Sequence, residues 1–189
     1  MSAARRRSEE AGIPCPNRAA TAALEVVAAA TSSSATVEVG TGTGVTGLSL
    51  LAGMSDGGVL TSIDSDASRQ RNAKDAFGAA TAGAGQVRLI AGAAKEVLPR
   101  LADAAYDMVV INESGDDADE YFEQALRLLR SGGAVVFTDA TGAGAVFDAT
   151  LDSQPIRALR AMVDRAKDRE LVHTAFLPVD AGILIAVKR

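Results

Sequence analysis

The sequence lacks tryptophan and carries one cysteine, one histidine, two tyrosines and five phenylalanines in 189 residues. A lone cysteine, Cys15, cannot close an internal disulfide, so the chain is no disulfide scaffold and suits a reducing, cytoplasmic compartment. Cys15 stands between Pro14 and Pro16 and reads as a small packed residue rather than a nucleophile. There is no basic excess: 24 Asp and Glu outnumber 19 Lys and Arg, for a net charge of −5. A chain of that sign repels phosphate backbones, which argues against DNA and RNA as partners. No apolar run approaches the roughly 18 residues that a membrane helix needs. Arg5, Arg6 and Arg7 could open a secretion signal, but Glu9 and Glu10 stand where its apolar stretch belongs. The expectation is a soluble cytoplasmic protein.

What the chain has in abundance is alanine, about a fifth of its residues against a lower ordinary usage. Alanine favours helix and fills little volume, so the composition also excludes collagen and a typical all-β sandwich. An apolar fraction of 48% excludes global disorder. The length makes one domain, residues 1–189, long enough to bury a sizeable core.

Residues 3–11 and 18–30 read as helices, separated by Ala11-Gly12-Ile13-Pro14-Cys15-Pro16-Asn17, where two prolines remove donors and restrict their neighbours. In the second helix Ala19, Ala22, Ala23, Val26, Val27 and Ala30 share one face, assigned to the core. Strands are then expected at 35–39, 58–64, 87–90, 106–112 and 134–139, with helices at 48–54, 66–80, 93–101, 117–130 and about 154–168. Asp66 suits the N-cap of 66–80, and Asp116 or Asp117 that of 117–130, whose residues Tyr121, Phe122, Ala125, Leu126, Leu128 and Leu129 face the core. Strands apolar on both faces, alternating with helices, describe a parallel sheet covered by helices. The end departs from that rhythm. Two runs, 171–179 and 183–188, joined by Asp180-Ala181-Gly182, read as a hairpin. The Ala- and Gly-rich stretch 78–85 reads as an ordinary loop.

The most informative segment is Val37-Glu38-Val39-Gly40-Thr41-Gly42-Thr43-Gly44-Val45-Thr46-Gly47, which follows a strand and opens a helix. Glycines there let the backbone turn sharply and a ligand approach closely, and the helix start behind them offers free N–H groups. Gly42, Gly44 and Gly47 also satisfy the dinucleotide fingerprint, with Asp64 placed 20 residues beyond Gly44 as its ribose acid. A nicotinamide site and a bare strand-to-helix turn both fit the loop taken alone. Three features favour another ligand. Glu38 ends an apolar strand and needs hydrogen-bond donors or a cation. Neither Tyr106 nor Tyr121 has the Lys partner of a dehydrogenase, and no room remains for a second domain. The hairpin at the end is foreign to the simple dinucleotide fold.

The glycine loop, Asp64 in Thr-Ser-Ile-Asp-Ser-Asp66, residues Gly92 to Leu101, the strand Tyr106 to Asn112, Leu128 to Gly133 and Leu177 to Gly182 together resemble the class I S-adenosyl-L-methionine-dependent O-methyltransferases. Within them the chain is similar to the bacterial branch related to catechol and caffeoyl-CoA O-methyltransferases. The resemblance runs in order from about residue 12 to 189 and implies a Rossmann-like α/β fold. Its seven-stranded sheet would be mostly parallel with the last strand antiparallel. By that resemblance Glu38 serves the amino end of the donor, directly or through the loop. Gly40, Thr41, Gly42 and Gly44 pass the methionine and ribose, Thr46 lends a hydroxyl, and Asp64, with Ser65 beside it, takes the ribose. Gly92, Ala93 and Ala94 edge the adenine, and Pro16, in an N-terminal segment 1–31, closes over the donor. Asn112 faces the methyl group, and Asn112 and Asp139 are the candidate catalytic residues.

The sequence departs from its metal-dependent relatives where they place Asp, Lys and Asn: here stand Asn112, Gly115 and Ala140, within Asn112-Glu113-Ser114-Gly115 and Asp139-Ala140. Magnesium and calcium want charged, hard oxygen ligands, so the expectation is methyl transfer to a small-molecule oxygen without a metal. Two alternatives remain, a donor-binding protein with impaired catalysis and an NAD(P)-binding oxidoreductase. Base N-methylation is disfavoured, because no Pro-Pro-aromatic run follows Asn112. Family members pair, and the alanine-rich first helices suggest a homodimer. His173, the only histidine, reads as structural, and Asp116, Asp117, Asp119 and Glu120 read as first-turn acids complementing a helix dipole.

Overall fold

The computed structural model describes residues 1–80, 87–113 and 115–189. Most of the stretch read as a loop at 78–85 lies outside the described residues, as does Ser114. Seven strands make one sheet: β1 (Ala35–Val39), β2 (Val59–Asp64), β3 (Val87–Ala91), β4 (Tyr106–Ile111), β5 (Leu129–Phe137), β6 (Val172–Leu177) and β7 (Ile183–Lys188). Their order is β3-β2-β1-β4-β5-β7-β6. Strands β1 to β5 run parallel, and β7 is antiparallel to both β5 and β6. The strand order reverses between β1 and β4, so a crevice opens at the carboxyl ends of those two strands.

The helices are α1 (Ser2–Ala11), α2 (Arg18–Ala30), α3 (Val45–Gly53), α4 (Ala67–Ala80), α5 (Ala94–Val97), α6 (Ala118–Leu128) and α7 (Gln154–Arg165). The period-2 alternation of β4 divides the core. Met108 and Val110 pack with Leu24, Leu50, Leu60 and Phe77 on one face, while Val109 and Ile111 pack with Phe122, Leu128, Phe137 and Met162 on the other. Among the described residues no helix is long and apolar enough to cross a membrane.

Several expectations are corrected. The buried stripe of α2 is Ala20, Thr21, Leu24 and Ala28, and the face assigned to the core holds Val26 at 66% exposure. Alanine on every side leaves the phase of this helix open, and Leu24, its one large aliphatic outside the valines, decides it. The 117–130 helix ends at Leu128, because Leu129 to Gly133 already belong to β5, where Gly132 takes φ +79°. Neither Asp116 nor Asp117 caps α6 with its side chain, whereas Asp66 does accept the Ser68 amide at 2.8 Å. The hairpin loop spans residues 178–182, since Leu177 pairs with Ile183 and Pro178 has no amide to continue β6.

Candidate functional site

Strand β1 delivers the chain to Gly40 with its neighbours already fixed by β2 and β4. Gly40 takes φ +85°, and a β-carbon there would stand 3.2 Å from that of Asn112, so the turn needs glycine. Gly44, also at φ +85°, starts α3 and lets the Phe77 ring pack 3.3 Å from where its β-carbon would be. Helix α1 backs the loop: the Ser8 and Thr43 hydroxyls are 2.8 Å apart and buried, and Thr43 donates to the Ala4 carbonyl at 3.1 Å.

Gly40 is the shared wall of two hollows of about 220 and 190 Å³. The first lies over the ends of β2, β3 and β4, with Asp64, Ser65, Gly92, Ala93 and Ala94 on one side and Glu113, Asp116, Asp117 and Tyr121 on the other. The second is walled by Thr41, Gly42, Thr46, Asn112, Thr138 and Asp139, by Pro14 to Pro16, and by Asp180 and Ala181. The structure thus gathers the residues singled out from the sequence into one cleft, with two exceptions. Gly44 and Glu38 line neither hollow; Gly44 serves packing and Glu38 lies beneath the loop.

Glu38 is fully buried. Its Oε2 accepts from the Ser62 hydroxyl at 2.6 Å and its Oε1 from the Asn112 amide at 3.2 Å. Burial pushes its carboxyl from 4.5 up to about 8, against hydrogen bonds from Ser62, Asn112 and the Gly47 amide and with help from the charge of Asp64. Asn112 is the hub. Its Nδ2 also donates to the Gly40 carbonyl at 3.0 Å, and its Oδ1 accepts from Thr138 at 3.1 Å and Thr46 at 3.3 Å. Asp64 is 3% exposed and is aimed by two backbone amides, Gly42 at 3.0 Å and Asp66 at 2.9 Å. Each of its oxygens retains a lone pair for a ligand.

Asp139 is exposed on the second hollow, its Oδ1 accepting the Ala143 amide at 3.3 Å. Facing the strap 12–17, Asp180 accepts the Asn17 amide at 2.6 Å and so joins the strap to the hairpin loop. Arg5 holds the strap from behind, donating to the Pro16 carbonyl at 2.5 Å and to Thr21 at 2.9 Å.

The sequence reading missed Thr138, which β5 carries to the cleft beside β4, and Asp180 and Ala181, which reach it only through the pairing of β5 with the reversed β7. It also took Asp116 and Asp117 as helix acids. They turn in a short 3₁₀ segment to face the first hollow, and only Asp119 and Glu120 stand in the first turn of α6. Tyr121, packed against the core as expected, also touches this hollow. Burial and the charge of Asp117 push its hydroxyl up to about 12, so it stays protonated. His173 lies on β6 and lines neither hollow.

Six carboxylates, Asp64, Glu113, Asp116, Asp117, Asp139 and Asp180, line the cleft against one ammonium, Lys95. A pyrophosphate would meet repulsion there, whereas a nucleoside carrying a cationic group meets complementary charge. That electrostatic character, at the switch point of a Rossmann-like sheet with one reversed strand, suits a nucleoside ligand that carries a cationic group better than a dinucleotide.

A family model described as O-methyltransferase matches residues 15–189. A relative from Mycolicibacterium smegmatis, named as an O-methyltransferase, is 42% identical over 188 residues, all of this chain and 90% of its own. A Corynebacterium glutamicum protein of known structure superposes with a TM-score of 0.91 at 31% identity, covering 99% of this chain and 88% of its own. The O-methyltransferase TomG of Streptomyces achromogenes, involved in tomaymycin synthesis and solved with S-adenosylmethionine, superposes at 0.90 with 25% identity and the same coverage. The chain belongs to the O-methyltransferase family, whose donor is S-adenosylmethionine. The nicotinamide reading is not favoured.

Proposed function

We propose that this chain transfers a methyl group from S-adenosylmethionine to an oxygen of a small-molecule acceptor without a divalent metal ion. The observation that carries the reading is the carboxylate-lined cleft of two hollows meeting at Gly40, with Asp64 at one end and Asp139 at the other. The donor fits the residues present: Asp64 has lone pairs to accept ribose hydroxyls, Ser65 adjoins it, and Gly92, Ala93 and Ala94 leave a flat wall for a base. Bound there, it supplies an electrophilic methyl group on a sulfonium sulfur. Thr41, Gly42 and Thr46 bind its amino-acid end, with Pro16 as cover. Glu38 works at one remove, fixing the loop through Asn112, Ser62 and Gly47. Asn112 holds the methyl-transfer end of the cleft in place, and Asp139 accepts the proton of the acceptor hydroxyl. Much of the acceleration then comes from alignment.

A hard divalent ion does not fit. The Asn112 side chain is wholly engaged, Glu113 is drawn to Arg69 at 3.2 Å, and Ala140 carries no side-chain oxygen. That leaves Asp139 and, on the hairpin loop, Asp180, whose Oδ2 already accepts the Asn17 amide, and magnesium gives up water reluctantly. The chain acts as one cytoplasmic domain over residues 1–189, with no nucleic-acid partner. It pairs as a homodimer through the exposed apolar face of α2, where Ala19, Ala22 and Val26 stand.

Calorimetry with S-adenosylhomocysteine and labelled methyl transfer to a panel of hydroxylated acceptors test the reading. Product binding is expected to weaken tenfold to a hundredfold, about 1.5–3 kcal/mol, in Asp64→Ala. Transfer is expected to survive EDTA. Binding without transfer to any acceptor would point to a catalytically impaired donor-binding protein.

A further inference from the structure

The second hollow does not end at Asp180 and Ala181. These two residues also wall a depression with Thr141, Phe147, Phe176 and Gly182. Thr141, Phe147 and Phe176 in turn wall a cavity of about 770 Å³ between α7 and β6. Three concavities therefore adjoin one another along shared walls, and the last is of the size that small-molecule ligands occupy.

The chemistry changes along this trough. At the cleft it is acidic. Its middle is apolar: Phe147 is 75% exposed and Phe176 39%, over a floor that includes Val163, Val172 and Leu184. Two aromatic rings left open to water on one wall have apolar surface for a ligand to cover. The far end carries Lys167, Arg169 and Arg189, and no Asp or Glu side chain lines it. Lys167 is already 2.6 Å from Asp164. Arg169 makes no ion pair or side-chain hydrogen bond among the described residues. A guanidinium in that condition is a ready receptor for a carboxylate or phosphate.

We propose that the acceptor methylated at this site is an elongated amphipathic anion. Its hydroxyl sits at Asp139, its apolar body runs over Phe147 and Phe176, and its terminal carboxylate or phosphate is held by Arg169 with Lys167. This rests on the methyltransferase reading above. The trough follows β6, where His173 and Phe176 are separated by three residue steps, roughly 10 Å, before the hairpin loop carries it on to Asp180. A single aromatic ring is too short to reach both ends.

The probes are hydroxyphenyl alkanoic acids of increasing chain length, their methyl esters, and phosphate monoesters of matching length. Each is titrated calorimetrically into the full chain saturated with S-adenosylhomocysteine. Affinity is expected to rise with length until the span is filled, and the acid or the phosphate to bind about tenfold tighter than the ester. The tighter of the two identifies the anion. Arg169→Gln should abolish the difference between acid and ester without changing the affinity for S-adenosylhomocysteine, and Phe176→Ser should weaken all the long probes. Normal S-adenosylhomocysteine binding with no dependence on length or charge would overturn this proposal and leave the methyltransferase reading standing. Failure to bind S-adenosylhomocysteine would overturn both. If Phe176→Ser dissociates a dimer and leaves the probes unaffected, the cavity belongs to a second copy of the chain and the proposal falls.

Discussion

Replacing Glu38 by Gln tests whether the carboxyl beneath the glycine loop is held neutral. Burial is the main cause of its rise from 4.5 to about 8. A carboxyl with a higher value in the folded than in the unfolded chain binds its proton more tightly in the native state. Its contribution is therefore fully present below about pH 4.5, drains away as the pH climbs to about 8, and is constant beyond. At 1.36 kcal/mol per unit the full drop is about 5 kcal/mol. Glutamine keeps the shape and cannot ionise. Its amide nitrogen takes the place of one of the two accepting oxygens, so one of the bonds now made to Glu38 is lost, about 1–2 kcal/mol. Glu38→Gln should therefore be the less stable protein at pH 5 and the more stable one at pH 9, by about 3 kcal/mol. The two stability curves should cross in between. Urea unfolding at pH 5, 7 and 9 measures both proteins, and the difference between them cancels every other titrating group. Parallel curves, with the variant lower at each pH, would show that Glu38 is ionised in the folded protein and refute the reasoning.

Asp107 is the opposite case. Burial alone would raise its carboxyl, but the Ser34 and Ala35 amides, Arg130 and the Ser34 hydroxyl hold it below the usual range. Asp107→Ala should destabilise by about 2–4 kcal/mol at neutral pH, and urea unfolding should find that deficit shrinking as the pH falls below about 4, where wild type protonates too. Gly53→Ala would drive a β-carbon to 2.1 Å from the Glu25 carbonyl, so α2 and α3 must part, costing about 2–4 kcal/mol in thermal or urea unfolding. Gly78→Ala in α4 meets nothing within 4 Å and should stabilise by up to about 1 kcal/mol. Asn112→Asp removes the donors to Glu38 and Gly40 and sets two carboxyls 3.2 Å apart; a loss of about 2–3 kcal/mol by the same assay is expected, and an unchanged midpoint would contradict the hub role given to Asn112.

The half of the cleft around Asp64 was legible because its signals are local. A glycine loop directly after a strand, and an acid at the end of the next strand, keep their spacing whatever the rest of the chain does. The second hollow was legible only in part: Pro16, Asn112 and Asp139 stand out in the sequence, Thr138 and Asp180 do not. Thr138 sits at the tip of β5 and Asp180 in the hairpin loop, and they meet only because β7 inserts between β5 and β6. Nothing in the residues between them encodes that insertion. Helix α2 failed for a different reason: its alanines fit either face, and the choice lay in tertiary packing around Leu24. The acidic run 116–120 divided between cleft and helix because Gly115, at φ +48°, turns the chain before α6 begins.

The hydrogen bond between Asn17 and Asp180 joins residues 163 positions apart, and that distance is also a delay. On a ribosome adding roughly 5–20 residues per second, the strap waits about ten to thirty seconds for its partner. By then the glycine loop and Asp64 have long since emerged, so the half of the cleft around Asp64 can assemble with β1 to β4. The half that carries Asp180 and the trough beyond it cannot exist until the hairpin has left the exit tunnel. A nascent or interrupted chain thus has the hollow around Asp64 without the wall that Asp180 will later supply. The cleft is completed only after β7 has emerged, and a chain broken before β7 lacks the wall that Asp180 and Ala181 supply.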